Sequence, residues 1–368
     1  MRQSVCIVPF TKNEWPLLQN LPSSYSIGAL VAPRGIGMAG EDVAVLKNKG
    51  NTGYCFTNSI KNGINSSDII LISRIQEEQT SLYKFALQAL EEAVAEGKDI
   101  ICFAEIDPET RKKYENAAGP KATRCLFIEN DTLTYQPPST GDKFHKIHVP
   151  VIYIGETIHG CEGYDVFIKL AHSLNLAGKR VLAISEDCYN ELFGFGFHHI
   201  QFWPNLDPVR SVYAINEYVY QLALTEHPDV ILIKLPEPMM KYDDDNPFDF
   251  GMTAFMMSQA VPGDGCICCT YSGNPTSEFW DNINENYKAK FGFPIIAVHL
   301  CNQVVDSTQE VGVSTIFIPP DEINVELLAM NASNNVQFYD FNCDDDMKRF
   351  CELLQDEFFD VPYGVIEL

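Results

Sequence analysis

The sequence predicts an α/β protein, with a Rossmann-like N-terminal domain and a second α/β domain of degenerate P-loop-like type. Three observations predict it. Short apolar runs alternate with segments of helical periodicity, the order expected of mainly parallel sheets. At 368 residues the chain exceeds one ordinary core, and length argues for about two domains. Finally, GETIHGCE at residues 155–162 lies between an apolar run and a helical segment, with its two glycines at the spacing of a phosphate-binding loop.

In the first half, residues 5–10, 27–32, 69–73, 100–104 and 124–128 read as buried strands. Between the third and fourth, Leu82, Phe85, Ala86, Ala89, Leu90 and Ala93 share one face of a helix over 82–95. Gly97 follows, where a left-handed residue closes a helix. Gly35-Ile-Gly-Met-Ala-Gly40 spells GxGxxG, but it follows the second strand instead of the first. No acid stands about 20 residues later to hold a ribose. It reads either as a Gly-rich connection or as a small-anion site at Arg34, Gly35 and Gly37. The Pro/Ser/Gly cluster at 137–142, within residues 132–150, reads as a hairpin or domain connection. The expected domains are therefore 1–148 and 149–368, with 301–368 a possible smaller strand–helix extension.

In a working phosphate loop, backbone N–H groups cradle the phosphates, a lysine neutralises the terminal one and a hydroxyl ligates magnesium. Here Cys161 stands in the lysine's place and Glu162 in the hydroxyl's. A carboxylate roughly 4 Å from a phosphate costs about 4 kcal/mol per charge pair at an effective dielectric near 20. A nucleotide would need a divalent metal to bridge it, and hydrolysis is disfavoured. The candidate ligand-binding residues are Gly155, Glu156, Thr157, Gly160, Cys161, Glu162 and Gly163; the alternative is a tight turn and nothing more. A helix N-terminus would lower the thiol pKa of Cys161, making it the foremost reactive cysteine, although Glu162 opposes a thiolate.

Further on, strands are expected at 180–185, 229–235, 265–271, 295–300, 315–318 and 336–341. Helices are expected at 209–225, 252–260, 277–291, 321–329 and 344–357, with Asp321 and Asp344 as suitable N-caps. The stretch SEDCYNELFGFGFHH at 185–199 follows a strand's C-terminal end, where ligands collect in open α/β sheets. There Glu186, Asp187 and Glu191 could hold a metal or a substrate amine, or could simply edge a packed aromatic cluster. Asp229 begins an apolar run that a magnesium-binding acid should end; Glu237 sits nearer the right position, and its alternative is a plain loop carboxylate. Cys161, Glu162 and Glu191 are the catalytic candidates.

Hydrophobic residues make up 46% and charged residues 21%, ordinary for a globular chain. No apolar run reaches the roughly 18 residues of a membrane span, and the N-terminus has no signal-peptide pattern, so a cytoplasmic location is expected. Twelve cysteines lie mostly inside apolar runs, as small buried hydrophobes in a reducing compartment do. The cluster Cys266-Ile-Cys-Cys269 lacks metal-ligand spacing and sits in a strand pattern, so core packing is its expected role. The net charge of −24 is uneven: residues 1–148 hold 16 Lys+Arg against 17 Asp+Glu, net −1, and residues 149–368 hold 10 against 33, net −23. That excludes nucleic acid as a partner for the second half and suits a cationic peptide or metal ions.

Several stretches together resemble the peptide-maturation system proteins encoded beside radical-SAM enzymes and small precursors in ribosomal-peptide natural-product clusters. They are Val8-Pro-Phe10, Ala32-Pro-Arg-Gly-Ile-Gly37 with Gly40 and Asp42, Asn51-Thr-Gly53, Glu191-Leu-Phe-Gly-Phe195, Pro228-Asp-Val-Ile-Leu-Ile233, and Phe250-Gly-Met-Thr-Ala-Phe255 with Ser258-Gln-Ala-Val261. The layout is more distantly similar to bacterial proteins that pair a Rossmann-like domain with a P-loop domain of the dethiobiotin-synthetase kind, whose loop keeps its lysine. The resemblance implies an accessory role in peptide maturation, with a precursor peptide or the radical-SAM maturation enzyme as partner. It names no reaction. The alternatives are a nucleotide- or metal-dependent enzyme using the 155–163 loop and a small-anion binding module.

Overall fold

The computed structural model describes residues 2–47, 50–76, 78–118, 124–128, 143–200, 207–236, 238–244, 247–273, 275–305 and 315–359. The chain forms two compact units, Met1–Thr132 with Cys188–Gly194, and Leu133–Asp187 with Phe195–Leu368. The division thus falls before residue 148. The first unit also takes back the segment 188–194, which the sequence reading placed in the second domain.

In the first unit the described elements are β1 (Gln3–Val8), α1 (Trp15–Asn20), β2 (Tyr25–Val31), β3 (Phe56–Thr57), α2 (Ile60–Asn65), β4 (Ile69–Ile72), α3 (Thr80–Glu96), β5 (Asp99–Cys102), α4 (Pro108–Ala118) and β6 (Cys125–Phe127). The strands are parallel throughout, in the order β3-β2-β1-β4-β5-β6. That is the order of a doubly wound Rossmann sheet, whose winding reverses between β1 and β4. Cys6, Val8, Ile70, Ile72, Ala86, Ala89 and Leu90 pack into its core. Each fully buried Val, Ile or Leu there contributes about 1.5–3 kcal/mol. Gly97 closes α3 at φ 70°, its N–H donating to Ala93 O and Val94 O. The sequence reading did not name β3, whose two residues carry no period, nor helices α1, α2 and α4.

The second unit holds β7 (Val151–Glu156), α5 (Gly163–Leu176), β8 (Val181–Ser185), β9 (Phe197–His199), α6 (Pro208–Glu226), β10 (Val230–Lys234), α7 (Met252–Ala260), β11 (Gly265–Ser272), α8 (Ser277–Phe291), β12 (Ile295–Val305), β13 (Thr315–Phe317), α9 (Pro320–Ser333), β14 (Phe338–Tyr339) and α10 (Asp344–Leu354). The strand order is β13-β12-β11-β7-β10-β8-β9, with β14 also on β12; β13 alone among the described strands is antiparallel. Both faces of β7 and β11 are buried, which is why these strands read as continuous apolar runs without alternation. The winding reverses between β7 and β11, so the ends of those strands flank its ligand crevice. Strands β13 and β14 both join β12, so the stretch after residue 301 extends this sheet and is no separate piece.

Two capping expectations need correction. The N-caps of α9 and α10 are Pro319 and Cys343, neither with a side-chain capping bond, while Asp321 and Asp344 lie inside the first turn, at the second and first helical positions. There they act on the helix dipole instead of on a free N–H. The cysteine cluster in β11 is core: Cys266, Cys268 and Cys269 are fully buried, and burial pushes the Cys268 thiol up to about 12.

Candidate functional site

The residues of GETIHGCE form a strand end, a loop and a helix start, as the motif requires, but their polar atoms are turned on the protein itself. Gly155 ends deep in the sheet, where an added Cβ would meet Met239 Sδ at 2.4 Å. Glu156 is buried and its Oε1 accepts the Gly163 N–H at 2.8 Å, so a carboxylate of the chain holds a helix-start donor that an anion would use. Its other oxygen lies 3.7 Å from Lys234 Nζ, at the end of the neighbouring strand β10. Thr157 donates its N–H to Cys269 O and its Oγ1 to Thr270 Oγ1 at 3.0 Å, tying the loop to β11. Gly160 takes φ 90° beneath Tyr271, whose hydroxyl donates to His159 O at 2.7 Å. A Cβ at Gly160 would stand 2.8 Å from that hydroxyl.

Glu162 adopts a left-handed backbone, φ 65° and ψ 19°. That conformation costs a non-glycine residue about 1–2 kcal/mol, so its side chain must repay the strain. It does so by turning inward. Oε2 accepts Asn342 Nδ2–H at 2.8 Å, and Lys169 Nζ donates to Asn342 Oδ1 at 3.1 Å. His299, with a fully buried side chain like that of Glu162, brings Nε2 to 3.4 Å of the same oxygen. Because the Phe341 N–H donates to His299 Nδ1, the ring proton stands on Nε2 and faces the carboxylate. Glu162 is therefore a tether between α5 and the β12–α10 region.

Cys161 corrects a second expectation. It is fully buried, and burial, with the neighbouring Cys301 thiol adding to it, holds its pKa well above the ordinary thiol value. The helix N-terminus does not prevail because desolvation of a thiolate outweighs a dipole effect worth about 1 kcal/mol. Cys161 stays a protonated thiol near neutral pH.

The remaining candidates fall in different units. Glu186 and Asp187 follow β8 in the second unit and are half-buried, whereas exposed Glu191 belongs to the first unit's segment 188–194. Glu237 lies outside the described residues, as does most of the 132–150 connection. Among the described residues no group of three or more His, Cys, Asp or Glu could hold a metal ion, and no helix is long and apolar enough to cross a membrane. Asp229 pairs with Arg180 at 3.1 Å, a surface contact at the start of β10. Arg34 is exposed. The glycine loop that follows it leads into a 3₁₀ turn at Val43–Leu46 and not into an α-helix, so it lacks the aligned N–H groups of a dinucleotide site. Within it, Gly35 takes φ 102°, and Gly37 lies under Phe56, whose ring a Cβ would reach at 2.5 Å.

The first unit's crevice is filled by a residue that sequence reading did not single out. Tyr189 is buried; its hydroxyl accepts the Arg74 N–H at 2.9 Å, just past β4, and donates to Glu14 Oε1 at 3.0 Å. Its ring meets Phe103, just past β5, edge-on at 4.8 Å. Thr11 donates both its N–H and its hydroxyl to Glu14 Oε2. The partners are 115 and 175 positions apart from Tyr189, so no local pattern announces them. Lys234 was likewise not singled out, although it stands at the end of the apolar run 230–233.

No family model matches the chain, and no curated protein does. Among solved structures, a DUF1611-family protein from Anabaena variabilis is similar, with a TM-score of 0.62 at 10% identity, over 96% of this chain and 99% of that one. Chloroplast FtsY from Physcomitrella patens is similar at 15% identity over 61% of this chain and 73% of its own, but its TM-score of 0.28 bears no weight. The first likeness extends over both units and establishes a shared fold, α/β with Rossmann-like and P-loop-like parts.

Proposed function

We propose that this protein is an accessory factor in the maturation of a ribosomally made peptide, and that its acidic second unit binds the precursor peptide or the modifying enzyme. One observation supports this reading above the others: the loop turns the carboxylates of Glu156 and Glu162 inward, onto Gly163 N–H and Asn342, while residues 149–368 hold 33 acidic against 10 basic residues. A surface so charged attracts and orients a basic segment. The resemblance to radical-SAM-associated proteins supplies the setting.

Purified protein immobilised on resin tests the reading, with a precursor peptide and a radical-SAM enzyme of the resembled kind of cluster applied separately. Capture of one of them at low salt, weakening as salt rises, is the expected result. Failure to retain either at low salt would overturn it.

A further inference from the structure

Helix α9 is apolar on two sides. Ile323, Leu327 and Met330 face the core, as an amphipathic helix requires. Val325 and Leu328 are nevertheless 68% and 74% exposed, and exposed Asp321 and Ala332 continue the same stripe at spacings of four, three and four residues. A helix apolar all round is normally buried all round, so this face suits a partner.

The charge around it selects that partner. The exposed charges on α9 are acidic, Asp321 and Glu322, its third acid, Glu326, is turned inward onto Gly273 N–H, and the sequence has no lysine or arginine between Lys290 and Lys348. Exposed Asp321 and Glu322 stand at the head of the stripe. A second copy of this chain meeting it through the same face would bring the same acidic head to the contact and offer nothing to neutralise it. An amphipathic helix with leucine-like residues on one side and lysine or arginine beside them satisfies both the apolar stripe and its acidic head.

We infer that the exposed face of α9, centred on Val325 and Leu328 with Asp321 and Glu322 at its head, is the docking surface for a basic amphipathic helical peptide. This rests on the peptide-binding reading and assigns it a place. The probe is a labelled peptide of leucine and lysine in a seven-residue helical repeat, compared with a scrambled peptide of the same composition, by fluorescence anisotropy. Wild-type protein should bind the ordered peptide more tightly than the scrambled one. Leu328→Asp should weaken it about tenfold, the size of a lost interface anchor, and Glu322→Lys should weaken it less while flattening its salt dependence. Circular dichroism of both variants checks that the fold persists.

Equal binding of the ordered peptide by wild type and Leu328→Asp would overturn the assignment to α9, as would equal binding of ordered and scrambled peptides. Sedimentation showing a wild-type dimer that Leu328→Asp dissociates would overturn it too, by giving the face to a second copy. Capture of the precursor by the wild type separates the two levels. If capture persists while Leu328→Asp has no effect on the probe, only the location fails; if capture is absent, the reading beneath it fails.

Discussion

The two units solve the same problem in different ways. Each has a mainly parallel sheet whose winding reverses at one point, between β1 and β4 in the first and between β7 and β11 in the second, and each has a tyrosine bonded to residues that follow one of those strands. In the first unit Tyr189 arrives from far along the sequence and lies against Glu14, Arg74 N–H and Phe103. In the second, Tyr271 belongs to β11 itself and reaches only as far as His159 O across the loop. The first crevice is closed by an imported segment, the second by local residues and an inward carboxylate. A Rossmann-like or P-loop-like frame thus does not by itself make a nucleotide site, since the donors must also be unspent.

The sharpest way to break this comparison is Glu162→Ala. It strips half-buried Asn342 and buried His299 of their acceptor and leaves a strained left-handed residue with nothing to repay it, so urea denaturation should show a loss of about 3 kcal/mol. A loss under about 0.5 kcal/mol, the size of an ordinary surface change, would mean that the tether is not structural. Tyr189→Phe should cost less, about 1–2 kcal/mol, because one hydroxyl is lost while the ring still fills its place against Phe103. Stability indistinguishable from wild type would show that the first crevice is held by the ring alone.

The smallest effect concerns pH. Burial raises the Glu14 pKa above the ordinary carboxylate value, against the opposing bonds from Thr11 and Tyr189. The folded chain then binds this proton more tightly than the unfolded chain does. Its contribution is fully present below the unfolded carboxylate value and is lost as pH rises through the folded one. Relative to Glu14→Gln, which cannot ionise, the wild type should therefore lose stability as pH climbs out of the acid range. Denaturation midpoints of the two proteins across that range would check it; a difference that does not vary with pH would remove Glu14 from the account.

Much of the fold was legible. Helices α7 and α8 fall on the expected residues, and the strand that begins just after Gly97 and the one that leads into the 155–162 loop appear within a few positions of their apolar runs. These are local matters: a run of Val and Ile wants a buried strand, and a glycine past a helix accepts φ above zero. The candidate site was legible only as a location. Its spelling showed that Cys161 and Glu162 replace the usual lysine and hydroxyl, but not that one would be sealed beside Cys301 and the other turned to Asn342. The caps of α9 and α10 were misplaced because helix ends depend on one residue's backbone, where Pro319 and Cys343 took the extended conformation.

By itself, then, the sequence determined the α/β class, the alternation of elements, the altered loop chemistry and the acidity of the second half, because each depends on neighbours within a few turns or on composition. Only the tertiary structure decided that Glu162 meets Asn342, 180 positions away, and that residues 188–194 belong to the first unit. Those outcomes follow from which buried donors lacked acceptors once both sheets had formed. A carboxylate in a low-dielectric interior turns to whatever donor can reach it, and that choice is made in space, after the chain has folded.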